Sequence, residues 1–308
     1  MQIDKSHTHR HPKCLSAARV VSSFAAISFL VCTARSAEWV GSADTNVENG
    51  NNWKDKPRGT VMVDPPHLGR KNPTRLSVAN GSGFPLCLTG ANGPTEFNEE
   101  LLVGASYGPT GELKETGGTL IVHQKHAAIV GQTVDGKMEV QGGTVNLLGG
   151  SADTSLPSCD AKWSLYLGNE PKGHGLLTVI GGQLRIENAM QIGRNGGSGI
   201  LEISGNGRVI CGGPILFPGG DAAKCINLGP GNGTFEQNPQ GEILFLGEQG
   251  WFNFKRGSHG KLSFSGRNKA YFDQLVVEGR IRIDGQVTTP EHFVFTEEGG
   301  QGEYQLVP

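Results

Sequence analysis

The chain has 308 residues and a net charge of −2, and 48 of its residues are glycine while 36% are hydrophobic. Glycine at about twice its usual share of ~7%, beside enough apolar residues for a core, describes a turn-dense β protein and argues against a disordered one. The near-neutral charge gives no whole-molecule field of the kind that draws in nucleic acid.

Residues 1–37 read as a secretory signal. Lys5, Arg10, Lys13 and Arg19 form a long basic region, and Val20–Val31 is an apolar run too short to span a bilayer. Ala34-Arg35-Ser36-Ala37 then offers small residues for cleavage after Ser36 or Ala37. An exported protein without a membrane span in its mature chain is the expectation.

Residues 38–100 form an N-terminal cap and an irregular lead-in segment. Asp44-Thr45-Asn46-Val47-Glu48 spaces oxygen ligands in a calcium-like manner. Its glycine, Gly50, sits one place too late for an EF-hand loop, so solvated turn residues are the better reading. The stretch from Val63 to Pro73 is a Pro-rich loop.

Residues 101–235 say nearly the same thing four times: LLVGASYGPTGELKETGGTLIV, AIVGQTVDGKMEVQGGTVNL, LYLGNEPKGHGLLTVIGGQLRI and MQIGRNGGSGILEISGNGRVIC. Each copy has three short runs of alternating apolar residues, separated by an anchor glycine with its polar turn and by a glycine corner. Alternation marks strands whose successive side chains point to opposite faces. Three strands and three corners describe one coil of a right-handed parallel β-helix, a β-solenoid with coils of about 25 residues. No coil buries its apolar residues alone, so the stack is the core. The structural corners are Gly117, Gly118, Gly142, Gly143, Gly181 and Gly182. The run CINLG, with Ile226 and Leu228, reads as a fifth copy of the first strand and brings Gly229 as its anchor. Residues 149–163 and 212–224 then read as loop insertions. Glu115 falls where the other copies place Val140, Val179 and Ile203.

This tandem pattern resembles the secreted β-solenoid repeat proteins common in planctomycetes and verrucomicrobia, which are similar to autotransporter-associated β-strand repeats. The resemblance covers about residues 38–308. Glu38-Trp39-Val40-Gly41 with Asn51-Asn52-Trp53 resembles the paired-Trp opening of such proteins. Many of them carry a C-terminal sorting tail, whereas Gln305-Leu306-Val307-Pro308 follows no apolar helix, so no membrane-sorting tail is expected. The resemblance implies architecture and export, and says little about biochemistry.

Removing residues 1–37 leaves Cys87, Cys159, Cys211 and Cys225. Cys211 and Cys225 bracket the second insertion, which makes them a disulfide candidate in an exported compartment. Cys211 also occupies a position held by Val, Leu or Ile in other copies, which suits a buried free thiol equally well. No zinc spacing accompanies the cysteines, and no metal or other cofactor is expected.

Residues 236–308 continue the alternation as C-terminal coils and an exit cap. Trp251-Phe-Asn-Phe-Lys-Arg256 is the one place where aromatic and basic side chains crowd together. Trp251, Lys255 and Arg256 are therefore candidate ligand-binding residues for sugar rings or acidic glycans. Alternatively, Trp251, Phe252 and Phe254 plug the end of the solenoid.

A β-helix raises polysaccharide lyases and hydrolases, but on fold alone. Lys114, Glu139 and Glu202 take matching outward places, with Thr178 between them, and no pair of carboxylates repeats with catalytic spacing. The reading is a secreted, non-catalytic β-solenoid acting as a structural, cell-surface or adhesion protein, with a polysaccharide or surface matrix as its expected partner. A glycan-binding module and a polysaccharide-active enzyme are the alternatives.

Overall fold

A computed structural model describes residues 36–39, 53–54, 75–79, 81, 85–89, 95–97, 100–104, 110–152, 162–238 and 242–307. The calcium-like stretch, the Pro-rich loop, Cys159 and nearly all of the signal segment lie outside them.

The described residues build three sheets, parallel from coil to coil, and each coil contributes one strand to each. The first coil is β3 (Arg75–Val78), β4 (Leu86–Leu88) and β5 (Thr95–Phe97). The next two are β6 (Glu100–Val103), β7 (Gly111–Glu115), β8 (Thr119–Gln124) and β9 (Ala128–Val130), β10 (Gly136–Val140), β11 (Thr144–Gly149). The fourth and fifth are β13 (Lys162–Leu167), β14 (His174–Val179), β15 (Gln183–Ile186) and β16 (Ala189–Ile192), β17 (Ser198–Gly205), β18 (Arg208–Cys211). Between β11 and β13, the short strand β12 (Ser151–Ala152) pairs antiparallel with β13. The last two are β19 (Ile215–Phe217), β20 (Lys224–Gly231), β21 (Thr234–Gln237) and β22 (Ile243–Phe245), β23 (Trp251–Phe254), β24 (Lys261–Ser265). Seven coils stack in this way, each sheet adding a strand about 4.8 Å from the last.

Inward residues fall in register from coil to coil. In the second sheet, Leu113, Met138, Leu177, Leu201, Ile226 and Phe252 form one continuous row. All six are at most 1% exposed and belong to a single core running through the coils. Burial of this stacked row is the main driving force for the fold, since each coil covers the apolar side chains of the next.

The stack extends past the repeat-bearing segment at both ends. Upstream, β1 (Ser36–Trp39) pairs parallel with β3, and β2 (Trp53–Lys54) pairs antiparallel with β1, so Trp39 and Trp53 take partner positions. Downstream, helix α1 (Lys269–Val277) and antiparallel additions close the stack. Asn268 caps the helix, its side chain accepting from the Tyr271 N–H, and Phe272, Leu275 and Val276 are buried. The hairpin of β25 (Ile281–Ile283) and β26 (Gln286–Val287) ends the second sheet. That of β27 (Phe293–Glu298) and β28 (Gln301–Leu306) ends the third. An antiparallel hairpin leaves no parallel edge in register for a further coil, one way of blunting a sheet end.

Two sequence expectations need correction. CINLG is no fifth copy of the first strand, because Ile226 and Leu228 pair with Leu201 and Ile203 in the second sheet. The first-sheet strand of that coil is β19, inside the stretch read as an insertion, with Ile215 opposite Met190. It escapes notice because Phe217 is followed by Pro218, where the other copies place an anchor glycine. Residues 212–224 are therefore an ordinary part of a coil.

The six corner glycines divide into two kinds. Gly118 and Gly143 hold φ of 87° and 70°, the left-handed region that L side chains avoid. Gly117, Gly142, Gly181 and Gly182 have no positive φ and are held by close approach instead: a Cβ on Gly142 would lie 2.8 Å from the Thr116 carbonyl oxygen.

Candidate functional site

The outer face of the second sheet carries a run of cross-coil polar contacts, and its residues follow from alternation. Each strand there turns every second side chain inward, so the residues between form two outward rows. The first runs Glu112, Lys137, Leu176, Ile200, Cys225 and Trp251. The second runs Cys87, Lys114, Glu139, Thr178, Glu202, Asn227, Asn253 and Arg282. Lys114, Glu139, Thr178 and Glu202 do take matching outward places on consecutive coils.

These side chains bond along the stack. Asn253 Nδ2 donates to Asn227 Oδ1 at 3.0 Å, and Asn227 Nδ2 donates to Glu202 Oε1 at 3.4 Å. Asn253 Oδ1 in turn accepts the Gly285 N–H at 2.7 Å. Nearer the N-terminus, Lys137 bridges Glu112 at 3.1 Å and Glu139 at 3.6 Å, and Lys114 reaches Glu112 at 3.3 Å. Desolvation pushes the Glu112 carboxyl up, and the hydrogen bonds and charges of Lys137 and Lys114 together outweigh it, holding the group below the ordinary range. The third sheet does the same: Arg208 donates bidentately to Glu236 at 2.6 and 2.7 Å, and Lys261 bridges Glu303 at 2.8 Å.

The structure places Trp251, Lys255 and Arg256 on the seventh coil and engages each within the chain. Strand alternation splits the aromatic run: Phe252 and Phe254 are fully buried, and Trp251 faces outward, half-buried. The two phenylalanines are core residues of the seventh coil, with Ile281 and Ile283 of β25 as their next register partners. Arg282 lies over the indole, its guanidinium carbon 4.1 Å from the ring centroid, where a stacking sugar would sit. Lys255 pairs with Glu202. The Arg256 N–H donates to Asp284 at 2.8 Å, while its guanidinium, 3.7 Å from that carboxylate, is 93% exposed.

The disulfide expectation is corrected. Cys211 and Cys225 are free thiols, one facing inward from the third sheet and the other outward from the second. Burial pushes the Cys211 thiol up to about 12, and it donates to the carbonyls of Asn188 and Gly213. Burial likewise raises Cys225 to about 11. The loop between them is held by Lys224 instead. This lysine stands in a column otherwise made of Gly111, Gly136, Gly175 and Gly199. Its stem fills the space over Gly193, and its ammonium donates to the Ala222 and Gly220 carbonyls at 2.8 and 3.2 Å. Sequence alternation alone could not find it, since nothing local distinguishes a buried lysine from a solvated one.

One further contact was not foreseen. His174 and Ser198 are register partners on adjacent coils, and His174 Nδ1 meets Ser198 Oγ at the rim of the second sheet. His174 is exposed, and no ion pair joins it to a carboxylate among the described residues. Among the described residues, no three His, Cys, Asp or Glu side chains gather to hold a metal ion. No helix among them is long and apolar enough to cross a membrane. No family model, no curated protein and no solved structure matches the chain.

Proposed function

We propose that this protein is an exported, non-catalytic β-solenoid that serves as a structural or adhesive component at the cell surface. One observation supports the reading most: the outward polar side chains of successive coils bond to each other, as in the run Gly285–Asn253–Asn227–Glu202. A binding cleft keeps polar groups convergent and available to a ligand, whereas these groups tie one coil to the next. The partner surface, on this reading, is a polysaccharide or surface matrix met over a broad area.

Export rests on the basic and apolar pattern of residues 1–37. Strand β1 begins at Ser36, so cleavage after Ser36 or Ala37 trims only the first one or two residues of the first sheet's opening strand. The test is expression in a secreting host with a C-terminal tag. Recovery outside the cytoplasm with Ala37 or Glu38 at the N-terminus supports the proposal. An intact N-terminus in the cytosol contradicts it. A glycan array separates surface scaffold from glycan-binding module: a hit lost on Trp251→Ala would favour the second.

A further inference from the structure

Glu115 is a carboxyl group built into the core. On β7 it is an inward residue, register partner of Leu88 in the coil before and Val140 in the coil after. It is 1% exposed. Its neighbours on the inner wall are apolar: Leu113 on its own strand, Leu120 and Val122 on β8, Val78 and Val103 on the first-sheet strands β3 and β6. The charged side chains of its own strand and of β10, Glu112, Lys114, Lys137 and Glu139, belong to the outward rows on the other side of the wall. Inward of β4, β7, β8 and β10 the one other polar side chain is Gln124. The Glu115 carboxyl accepts the Gly117 N–H, while Oε1 has no hydrogen-bond partner.

A charge in that position has no counter-ion and little to solvate it, so the core accepts the neutral acid and rejects the carboxylate. We infer that Glu115 is a proton-operated latch in the second coil, closed when its carboxyl is protonated and opening the N-terminal coils when it ionises. A solenoid makes such opening local. Its stability is roughly a sum of coil and nearest-neighbour terms, so a charge in coil two weakens coils one to three and leaves the distant ones folded.

Burial raises the Glu115 carboxyl from 4.5 to about 8, against the smaller opposing effect of the Gly117 N–H. For an acid whose folded-state value lies above its unfolded one, the folded state holds the proton longer. Its contribution is complete below about pH 4.5, declines through the interval and is gone above pH 8. Over that range the closing equilibrium of these coils falls by up to about a thousandfold.

The test is hydrogen exchange by mass spectrometry on the whole chain at pH 6 and pH 9, corrected for intrinsic exchange. Peptides within residues 86–124 should lose at least about tenfold in protection at pH 9, with those within 208–265 unchanged. Glu115→Gln should abolish the difference. If its buried amide prevents folding, Glu115→Val, the residue type at position 140, should abolish it with protection kept at both values. Equal pH sensitivity in wild type and a folded variant would overturn the latch, as would uniform loss along the whole wild-type chain.

Discussion

Asn253 donates its side-chain amide to Asn227 at 3.0 Å, and the two residues occupy the same register position on neighbouring coils. Each is 7% exposed although it points away from the core. The bond closes a chain from Gly285 to Glu202, so removing either amide strands a buried donor or acceptor. Each asparagine makes two of these bonds, so Asn227→Ala and Asn253→Ala should each cost about 1–3 kcal/mol. Asn253→Ala should be the more costly, because its bond to the Gly285 N–H, at 2.7 Å, is shorter than the 3.4 Å bond from Asn227 to Glu202. In thermal unfolding this appears as a loss of roughly 2–4 °C per kcal/mol for a domain of this size. A double variant should be less destabilising than the sum, because the two share one bond.

Corner glycines are predicted to differ from one another. At Gly143 the backbone is left-handed and a Cβ would fall on the Gly118 backbone of the coil before, so Gly143→Val meets strain and a clash together. Gly142 has ordinary φ and a single tight approach at 2.8 Å. The predicted order of melting temperatures is therefore Gly143→Val below Gly142→Val, with Asn146→Val, on the outward face of β11, close to wild type. Gly143→Val should cost on the order of 3 kcal/mol.

Thiol chemistry separates the free-cysteine arrangement from the bridged one. Cys211 is fully buried and Cys225 is 7% exposed, with both thiols raised by burial. Since the thiolate is the reactive form, neither should alkylate in the folded protein at pH 8, and both should do so after unfolding without reductant. Peptide-level mass spectrometry reads the outcome directly. A Cys211–Cys225 cross-linked peptide would reverse the assignment. Cys211→Val, which restores the residue type of the other coils, should cost less than about 1.5 kcal/mol.

Lys224 should be irreplaceable by an apolar chain of similar length. Lys224→Met keeps the stem over Gly193 but leaves the Ala222 and Gly220 carbonyls without their donor. A loss of about 1–3 kcal/mol is expected, confined to the coil that carries residues 218–224. Lys224→Arg, with a longer and planar head, should not restore it. Local hydrogen exchange around β20 is the readout.

What was legible in the sequence was whatever repeats locally. Leu177/Val179 and Leu201/Ile203 announce their face by alternation, and the glycine corners mark where the chain bends. Glu115 stood out because it breaks a column that other copies fill with valine or isoleucine. Two coils were hidden. Arg75–Val78, Leu86–Leu88 and Thr95–Phe97 are the three strands of one coil with no Gly-Gly pair in the sequence between them, and Ile215–Phe217 form a strand without an anchor glycine. In both, long-range pairing supplies what the local signal lacks. The engagement of Trp251 by Arg282 was invisible for the same reason. The two residues are 31 apart in the chain and meet only because β23 and β25 lie side by side.

The most direct measurement of the stacked-coil account is a spin-label distance series along one outward row of the third sheet. Thr119, Thr144, Gln183, Arg208, Thr234 and Lys261 are consecutive register partners. With one label at Thr119→Cys and the second moved from Arg208→Cys to Thr234→Cys to Lys261→Cys, the separation should grow by one strand spacing per step. The predicted values are about 14, 19 and 24 Å. The step from Arg208 to Thr234 matters most, because it encloses the strand hidden at Ile215–Phe217. An increase there of about 5 Å supports the seven-coil stack. A jump of two spacings or an unordered series would contradict it.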